Sequence, residues 1–280
     1  MPRPIRMARL GFVLTGWCFL PVAMAQTIPA ALPTPAHVVV VMEENHSYSE
    51  IIGSPQAPYI NTLATQGALF THSFAVGHPS EPNYLAIFSG STQGVTDDSC
   101  PLTFSTDSLE SELLAAGKTF TGYSEGLPKA GSKVCTSGKY ARKHVPWTDF
   151  SKDLAADNQP FTSFPSDFTK LPTVAFVIPN LNDDMHDGTI QQGDAWLQRY
   201  LAAYVTWAQS NNSLLIIQFD EDDGSENNQV ATIFVGAVVK PGQYSEKINH
   251  YNILRTIEDM YTLPRLAKAK KAKPISDVWK

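Results

Sequence analysis

Three continuous apolar runs along the chain each end in a burst of acidic and amide residues. The runs span residues 37–42, 173–178 and 214–219, and the polar bursts that follow them span residues 43–46, 179–187 and 220–224. Uninterrupted Val, Ile and Leu over this length is typical of strands buried on both faces, as in parallel sheets. Ligands of such sheets bind just beyond the carboxyl ends of the strands. The pattern therefore predicts that three strands deliver polar side chains to one site, which favours an enzyme that holds a metal.

Strand-like and helical patterns alternate over the rest of the chain. Further strands are predicted over residues 68–76, 119–123 and 229–235, and helices over residues 58–66, 80–88, 107–116, 193–208 and 249–260. Residues 124–171 are rich in Gly, Pro, Ser and Lys, so they are predicted to form irregular surface and a candidate lid. The alternation of strands and helices predicts a layered α/β fold with a mainly parallel sheet.

The start of the chain has the pattern of an export signal. Arg3, Arg6 and Arg9 precede an apolar stretch over residues 10–22, and Ala23-Met24-Ala25 matches a cleavage site. We therefore expect a signal peptide over residues 1–25, a Pro-rich linker over 26–36 and a single domain over 37–280. The expected location is secreted or periplasmic, and an uncleaved membrane anchor is the alternative.

Net charge and cysteine content narrow the class of protein further. Loss of the three arginines of the signal changes the net charge from −6 to −9, which argues against nucleic-acid binding. A lysine-rich stretch over residues 268–273 is interpreted as a solvated helix face, with at most transient contact with a membrane surface. Cys100 and Cys135 remain in the exported chain and are predicted to form a disulfide. No protein partner is inferred.

Ser80 is the candidate nucleophile. It stands between a predicted strand and a predicted helix whose next residues are Glu81 and Pro82, both suited to a first helical turn. A serine there lies over free backbone N–H groups that bind anions such as phosphate. Asn83 is one turn further on and is a candidate donor to a phosphoryl oxygen. The alternative is a helix cap without chemistry.

The polar bursts supply candidate metal ligands and acids. Oxygen donors come from Glu44, Asn45, Asp220 and Glu221. Such a set suits Ca, Mg or Mn, and added imidazole admits Zn or Fe, so the divalent metal is not identified. His186 and His78 are candidates for binding metal or for protonating a leaving group, and His250 is a further candidate for the proton donor. Structural roles are the alternative for each of the three.

Five segments together resemble the phosphoesterase family that contains bacterial and plant phospholipases C and secreted acid phosphatases. The matching segments follow the family's order and cover residues 44–48, 78–84, 184–187, 220–221 and 250–255. The resemblance implies an alkaline-phosphatase-like three-layer α/β/α core in which Glu44, Asn45, Asp220 and Glu221 hold metal around Ser80. Larger relatives continue the Asp-Glu pair with His-Gly-Gly, whereas this chain has Asp222-Asp223-Gly224. The chain is most similar to the small acid-phosphatase branch, some members of which act on phosphoinositides.

Three functions remain as hypotheses at this point. The preferred one is an exported metal-dependent acid phosphatase that hydrolyses phosphomonoesters through a phosphoserine at Ser80. The alternative is a phospholipase C that cleaves phospholipid headgroups, with the aromatic residues of 145–168 as a lipid-facing lid. The third is an exported protein that binds a cation without catalysis.

Overall fold

An eight-stranded sheet built around the three acid-tipped runs forms the centre of the molecule. The structure, a computed structural model, describes residues 1, 2, 4 and 31–280. The predicted signal peptide and most of the predicted linker therefore lie outside the described residues. Residues 31–36 lack regular structure, and Thr34 Oγ1 donates a hydrogen bond to the carbonyl of Met260 at 3.0 Å.

Twelve strands and six α-helices follow one another along the described chain. The strands are β1 His37–Glu43, β2 Ala68–Phe70, β3 Ser73–Phe74, β4 Phe120–Ser124, β5 Thr136–Ser137, β6 Tyr140–Ala141, β7 Asn158–Pro160, β8 Val174–Ile178, β9 Ser213–Phe219, β10 Thr232–Gly236, β11 Gly242–Tyr244 and β12 Ile248–Asn249. The helices are α1 Tyr48–Ile51, α2 Pro58–Gln66, α3 Ser80–Ser89, α4 Leu109–Ala115, α5 Ile190–Ala208 and α6 His250–Met260. Short 3₁₀ turns fill the segment between β6 and β8.

The central sheet has the order β11-β2-β10-β9-β1-β8-β4-β7. Its middle is parallel, because β9, β1, β8, β4 and β7 all run in one direction, while β10 is antiparallel to both of its neighbours. The predicted strand over 68–76 was wrong, since residues 71 and 72 separate β2 from β3, and β3 pairs with β12 in a separate two-stranded sheet. The prediction of a mainly parallel α/β sheet is confirmed.

Side chains alternate across β1 and divide the core into two layers. Val38, Val40 and Met42 pack on the face that carries α3 and α6, whereas Val39 and Val41 pack on the face that carries α2 and α5. All five are fully buried, as the continuous apolar run predicted. Helices on both faces of a sheet give the three-layer α/β/α architecture. Among residues 31–280, no helix is both long and apolar enough to cross a membrane.

The predicted disulfide is confirmed. Cys100 and Cys135 are bonded, with their Cα atoms 5.8 Å apart. The bond links the loop after α3 to the start of the irregular segment between β4 and β8. The bond thereby holds together two loops whose cysteines are 35 residues apart in sequence.

Candidate active site

The three acid-tipped strands are neighbours in the sheet, so their polar bursts meet. Strand β1 lies between β8 and β9, and all three end at the same edge. Backbone bonds continue the pairing past the strand ends: Asp220 N–H donates to the Glu43 carbonyl at 2.9 Å, and Glu44 N–H donates to the Asp184 carbonyl at 2.8 Å. The sequence prediction that these bursts converge on one place is therefore met by the geometry.

Ser80 opens helix α3 at this edge and is almost fully buried. Its Oγ donates to Glu44 Oε2 at 3.0 Å and lies 3.3 Å from Glu221 Oε1. Pro79 is the capping residue, so Ser80 is the first helical residue rather than the cap itself. The hydroxyl of Ser80 is thus held between two carboxylates that come from different strands.

We call Glu44, Asn45, Ser80, Asp220 and Glu221 the oxygen cluster. Asp220 is fully buried; its Oδ1 accepts from the Asn45 N–H at 3.2 Å, and its Oδ2 has no hydrogen-bond partner. Asn45 has a left-handed backbone, with φ of 54°, a conformation that Asn tolerates better than most residues. Every member of the sequence-predicted ligand set is therefore found in one small region beside Ser80.

Burial and mutual repulsion govern the protonation of these acids. Burial, and then the charge of Asp220, raises the pKa of Glu44 well above its ordinary value. Burial, and then Glu221, does the same to the pKa of Asp220. Burial raises the pKa of Asp184 to about 7. Several carboxyl groups packed together without a cation are costly, which is the condition that a bound metal relieves.

The oxygen cluster therefore fits a divalent cation on the chemistry of its own atoms. It offers carboxylates and an amide, the hard donors that Mg²⁺, Ca²⁺ and Mn²⁺ prefer. The buried Asp220 Oδ2 that lacks a partner is the kind of atom a cation satisfies. A second group of donor atoms, from Glu44, His144 and His186, lies within 4.8 Å of one another and includes imidazole nitrogens.

Residues 142–144 lie on the other side of the site from the oxygen cluster. The sequence alone did not identify them as functional. We call Lys143, His144 and His186 the nitrogen cluster. His144 is buried between two acids, with Nε2 3.2 Å from Glu44 Oε1 and Nδ1 3.3 Å from Asp184 Oδ2. Neither nitrogen has hydrogen-bond alignment with its neighbour, and His144 Nε2 and Asp184 Oδ2 both lack partners. Burial, and then Lys143, lowers the pKa of His144 well below its ordinary value, so its ring is neutral.

Tyr84 fixes this part of the site from helix α3. Its ring stacks on His144, with centroids 4.9 Å apart and planes 10° apart, and its hydroxyl donates to Glu44 Oε1. Tyr84 is one turn after Ser80, so both project from the same side of the helix toward Glu44. Its place in the matched segment 78–84 was the available sequence signal. For Lys143 and His144 the sequence offered none, since they lie in the segment predicted as irregular surface.

The three predicted histidines occupy different positions. His78 is half-exposed, with Nδ1 2.8 Å from Glu221 Oε2 and Nε2 3.2 Å from Asp222 Oδ1. His186 places Nδ1 2.8 Å from Asp187 Oδ1 and Nε2 3.2 Å from Lys143 Nζ. Both lie at the site, and their catalytic roles stay predictions.

His250 lies behind the site rather than in it. Its ring is fully buried, and Nε2 donates to the backbone carbonyl of Asp220 at 2.7 Å. Burial lowers the pKa of His250 to about 4, so the ring is neutral. The geometry does not bring this ring to a leaving group, because its contact with the site passes through the Asp220 backbone. His250 is thus placed to position Asp220, which corrects the expectation of a proton donor.

Asn83 is likewise occupied by the protein itself. Its Nδ2 donates to the carbonyls of Gly77 and Pro79 at 2.8 and 3.2 Å, and its Oδ1 accepts from the Val76 N–H at 3.0 Å. It also lies 3.4 Å from Glu221 Oε2. These bonds shape the loop before Ser80, so the structure places Asn83 as a support of that loop; contact with substrate stays a prediction.

An open cleft of about 390 Å³ leads to the oxygen cluster. Its lining comes from Asn45, His78, Glu221, Asp222, Asp223 and Gly224. Asp222 accepts from the backbone N–H groups of Gly224, Glu226 and Asn228, so it holds the turn. Polar walls on both sides suit a small charged substrate, and the volume is within the range of ligand sites.

The aromatic residues predicted as a lipid-facing lid do not cover this cleft. Trp147 and Phe150 are buried and pack on Phe88 of α3, with ring centroids 6.3 and 5.8 Å away. Phe161, Phe164 and Phe168 line a separate apolar cavity of about 590 Å³ against helix α5. Loop packing therefore accounts for the first two, and none of these residues lines the cleft beside Asn45 and His78.

A parallel α/β sheet with a serine at a helix N-terminus, facing strand-end carboxylates, defines an alkaline-phosphatase-like hydrolase that acts on phosphoric esters. A model of the Phosphoesterase family matches residues 54–264, and the chain belongs to that family. The predicted resemblance and the predicted enzyme class are thereby confirmed.

Individual relatives agree with this assignment. The chain is 55% identical over 253 residues to a phosphatidylinositol-3-phosphatase of Mycobacterium tuberculosis, covering 89% of this chain and 85% of that protein. It is 32% identical over 231 residues to an acid phosphatase of Aspergillus fumigatus, covering 74% of this chain and 51% of that protein. The chain spans between 51% and 59% of the length of the fungal acid phosphatases that it matches.

A solved structure supports the fold. A protein of the alkaline phosphatase superfamily from Vibrio parahaemolyticus superposes with a TM-score of 0.59, over 88% of this chain and 72% of that chain. The two sequences are 13% identical, so the likeness concerns the fold alone. The predicted three-layer architecture is confirmed by it.

Proposed function

We propose that the protein is an exported, metal-dependent acid phosphatase that hydrolyses phosphomonoesters through a phosphoserine at Ser80. One observation carries the proposal: the buried Ser80 hydroxyl lies between Glu44 and Glu221 at the N-terminus of α3. A hydroxyl hydrogen-bonded to carboxylates has an acceptor for its proton, and a helix N-terminus favours the phosphoryl anion that it attacks.

The oxygen cluster would hold the divalent cation, through Glu44, Asn45, Asp220 and Glu221. A bound cation lowers the pKa of a nearby hydroxyl and neutralises phosphate charge. The nitrogen cluster is the weaker candidate for this role, because both ring nitrogens of His186 already face Asp187 and Lys143. The metal's identity remains open among Ca, Mg, Mn, Zn and Fe.

The reaction then proceeds in two displacements by the chain's own residues. Ser80 Oγ loses its proton to a neighbouring carboxylate and forms a bond to phosphorus, while the bond from phosphorus to the leaving oxygen breaks. A histidine gives that oxygen a proton, and His78, at the mouth of the cleft, is the best placed to do so. Water then attacks phosphoserine, releases phosphate and restores the Ser80 hydroxyl.

The substrate class follows from the relatives and the cleft. The likeness to a phosphatidylinositol-3-phosphatase supports phosphoinositide phosphates among the substrates. Any membrane contact is transient in this proposal, because the cleft lining is polar. Nucleic acid is not a partner, since the chain is acidic.

Export is supported by two features. The predicted signal peptide precedes the domain, and the Cys100–Cys135 disulfide is typical of oxidising compartments. A secreted or periplasmic location is therefore proposed together with the activity.

The experiment is an assay of the purified protein on phosphomonoesters and diesters across pH, after EDTA treatment and with single metals added back. We expect hydrolysis of p-nitrophenyl phosphate and phosphatidylinositol 3-phosphate that EDTA abolishes. Ser80→Ala should lower kcat/KM by at least about 10³-fold with the metal retained. A labelled monoester quenched in acid should leave phosphate on Ser80 of the active protein. Near-normal activity of Ser80→Ala, or faster cleavage of p-nitrophenylphosphorylcholine than of any monoester, would overturn the assignment.

A further inference from the structure

The 3₁₀ turn over residues 142–144 is fixed on both sides of Lys143. Arg142 is buried and donates to Asp149 Oδ1 at 2.6 Å and to Thr148 Oγ1 at 2.8 Å. His144, on the other side, is buried against Tyr84. The backbone at Lys143 therefore has little freedom, and its side chain, only 18% exposed, is directed toward the site.

Two of the three donors of the Lys143 ammonium group are already engaged. Its Nζ lies 2.8 Å from Asp98 Oδ2 and 3.2 Å from His186 Nε2. Because a lysine only donates, Nε2 of His186 is the acceptor and Nδ1 carries the proton that is directed to Asp187. An ammonium has three N–H groups, so one remains available for a ligand.

Asp98 shows that the space beside Ser80 is suited to an anion. Its Oδ1 accepts from the backbone N–H of Glu81 at 3.0 Å, in the first turn of the ten-residue helix α3, while its Oδ2 accepts from Lys143. A helix N–H and an ammonium are also the donors that bind phosphoryl oxygens. The Asp98 carboxylate is thus held by a pair of donors one residue away from the proposed nucleophile.

The Lys143 side chain lies beside the acids of the site without forming an ion pair with them. No lysine or arginine of residues 31–280 forms an ion pair with Glu44, Asp184, Asp220 or Glu221. Lys143 nevertheless neighbours this group, since it touches His186, whose donor atoms lie within 4.8 Å of those of Glu44. Lys143 is therefore not paired with the acids of the oxygen cluster. Its ion pair is with Asp98, and its remaining N–H is available to a substrate oxygen.

We propose that Lys143 binds a non-bridging oxygen of the substrate phosphoryl group and thereby selects phosphomonoesters over phosphodiesters. The inference rests on the proposed phosphatase function and concerns which ester that site accepts. A monoester dianion presents three non-bridging oxygens, whereas a diester presents two and carries a carbon substituent on the third position. An ammonium at that position pairs with a negatively charged oxygen in the monoester. In the diester it faces a neutral oxygen that carries a carbon substituent.

The test compares one monoester and one diester on the holoenzyme. For Lys143→Met we expect kcat/KM for p-nitrophenyl phosphate to fall by about 10²-fold or more. The value for bis(p-nitrophenyl) phosphate should change by less than about 5-fold, measured by turnover or, if turnover is too slow, by competitive inhibition. The inhibition constant of inorganic phosphate should rise by at least about 10-fold.

Three further variants make the result decisive. Lys152→Met removes an exposed lysine that pairs with Asp107 outside the site, and it should leave both substrates unchanged. Lys143→Arg keeps the charge and should recover part of the monoester preference. Lys143→Gln removes the charge but keeps an N–H donor, on a side chain one atom shorter, so it is the second neutral variant should Lys143→Met lower the melting temperature.

The outcomes separate this inference from the proposed function. Equal losses on both esters in Lys143→Met and Lys143→Gln, or no loss on either, would overturn the selecting role of Lys143. A wild-type protein that hydrolyses no phosphoester, or an active Ser80→Ala, would instead overturn the phosphatase assignment.

Discussion

The two halves of the site are built by different parts of the fold. The oxygen cluster comes from the ends of buried parallel strands and the first residue of a helix, whereas two of the three residues of the nitrogen cluster come from a turn in an irregular segment. The two clusters meet at Glu44 of the oxygen cluster, which accepts a hydrogen bond from Ser80 and lies 3.2 Å from His144 Nε2. The difference teaches that the strand ends place the carboxylates, which are the candidate metal ligands, while a loop segment places the Lys143 and His144 side chains opposite them.

The two halves also differ in charge. The oxygen cluster gathers carboxylates whose pKa values are raised by burial and by one another, an arrangement that a bound cation would stabilise. The nitrogen cluster carries the Lys143 ammonium. Burial alone would lower its pKa, but the hydrogen bond that it donates to Asp98 and the charge of Glu44 outweigh burial and raise the pKa. One half is therefore prepared for a metal and the other for a phosphoryl anion.

The largest effect is expected where the two halves meet. Glu44→Gln should lower kcat/KM by at least about 10³-fold and remove most of the bound metal, because it removes the negative charge of the carboxylate that accepts from Ser80. Metal content per chain and monoester turnover measure this.

The matched control is the neighbouring residue. Glu43 is equally buried but points to the opposite face of β1, and burial, and then Asp184, raises its pKa well above the usual value. Burial and Asp184 favour the neutral form of Glu43, so replacement by the neutral isostere Gln should keep the metal and the activity. Similar losses in both variants would show that the sheet edge as a whole, and not the oxygen cluster, binds the metal.

A smaller effect is expected in the nitrogen cluster. His144→Phe keeps an aromatic ring on Tyr84 but removes both ring nitrogens, so activity should fall by about 10- to 100-fold while the metal stays bound. Inductively coupled plasma analysis of the dialysed variant, together with kcat, checks this. Loss of the metal would show that residues of both clusters bind it, which would contradict the division of roles between the two clusters.

The smallest effect on activity is expected behind the oxygen cluster. His250→Gln keeps a donor toward the Asp220 carbonyl, so kcat/KM at pH 7 should change by less than about 5-fold. A loss of 100-fold or more would restore His250 as a proton donor.

The same variant should change how stability depends on pH. His250 has a pKa of about 4 in the folded protein and about 6.5 when unfolded, so between these values only the unfolded chain takes up the proton. Its contribution therefore destabilises the fold as pH falls through this window, by roughly 3 kcal/mol in total. Urea unfolding at pH 7.5, 6.5, 5.5 and 4.5 should show a shallower loss in His250→Gln than in wild type.

The sequence predicted the fold and the oxygen cluster well because both follow from short-range pattern. Continuous apolar runs identify buried parallel strands, and strand ends of one sheet converge whatever the loops do. The antiparallel direction of β10 was not predictable in the same way, since its burial pattern is the same in either direction.

The nitrogen cluster shows where prediction from sequence fails. Residues 142–144 have no periodic pattern, and their position depends on Arg142 bonding to Asp149 and on His144 stacking on Tyr84, contacts made only in three dimensions. His250 fails for the opposite reason: it lies within a matched segment and at a helix start, yet its ring turns toward a backbone carbonyl. A residue's type and place in sequence do not fix the direction of its side chain.

The Cys100–Cys135 bond has a consequence for where the site is complete. Cys100 lies two residues after Asp98, and the carbonyl of Cys135 accepts from the Arg142 N–H at 2.9 Å, at the start of the turn that carries Lys143. The bond therefore joins the two segments that meet in the Asp98–Lys143 ion pair, while the oxygen cluster depends on no sulfur. The oxygen cluster is therefore expected to form under reducing or oxidising conditions alike. The Asp98–Lys143 pair is expected to be fixed in place only where the disulfide forms.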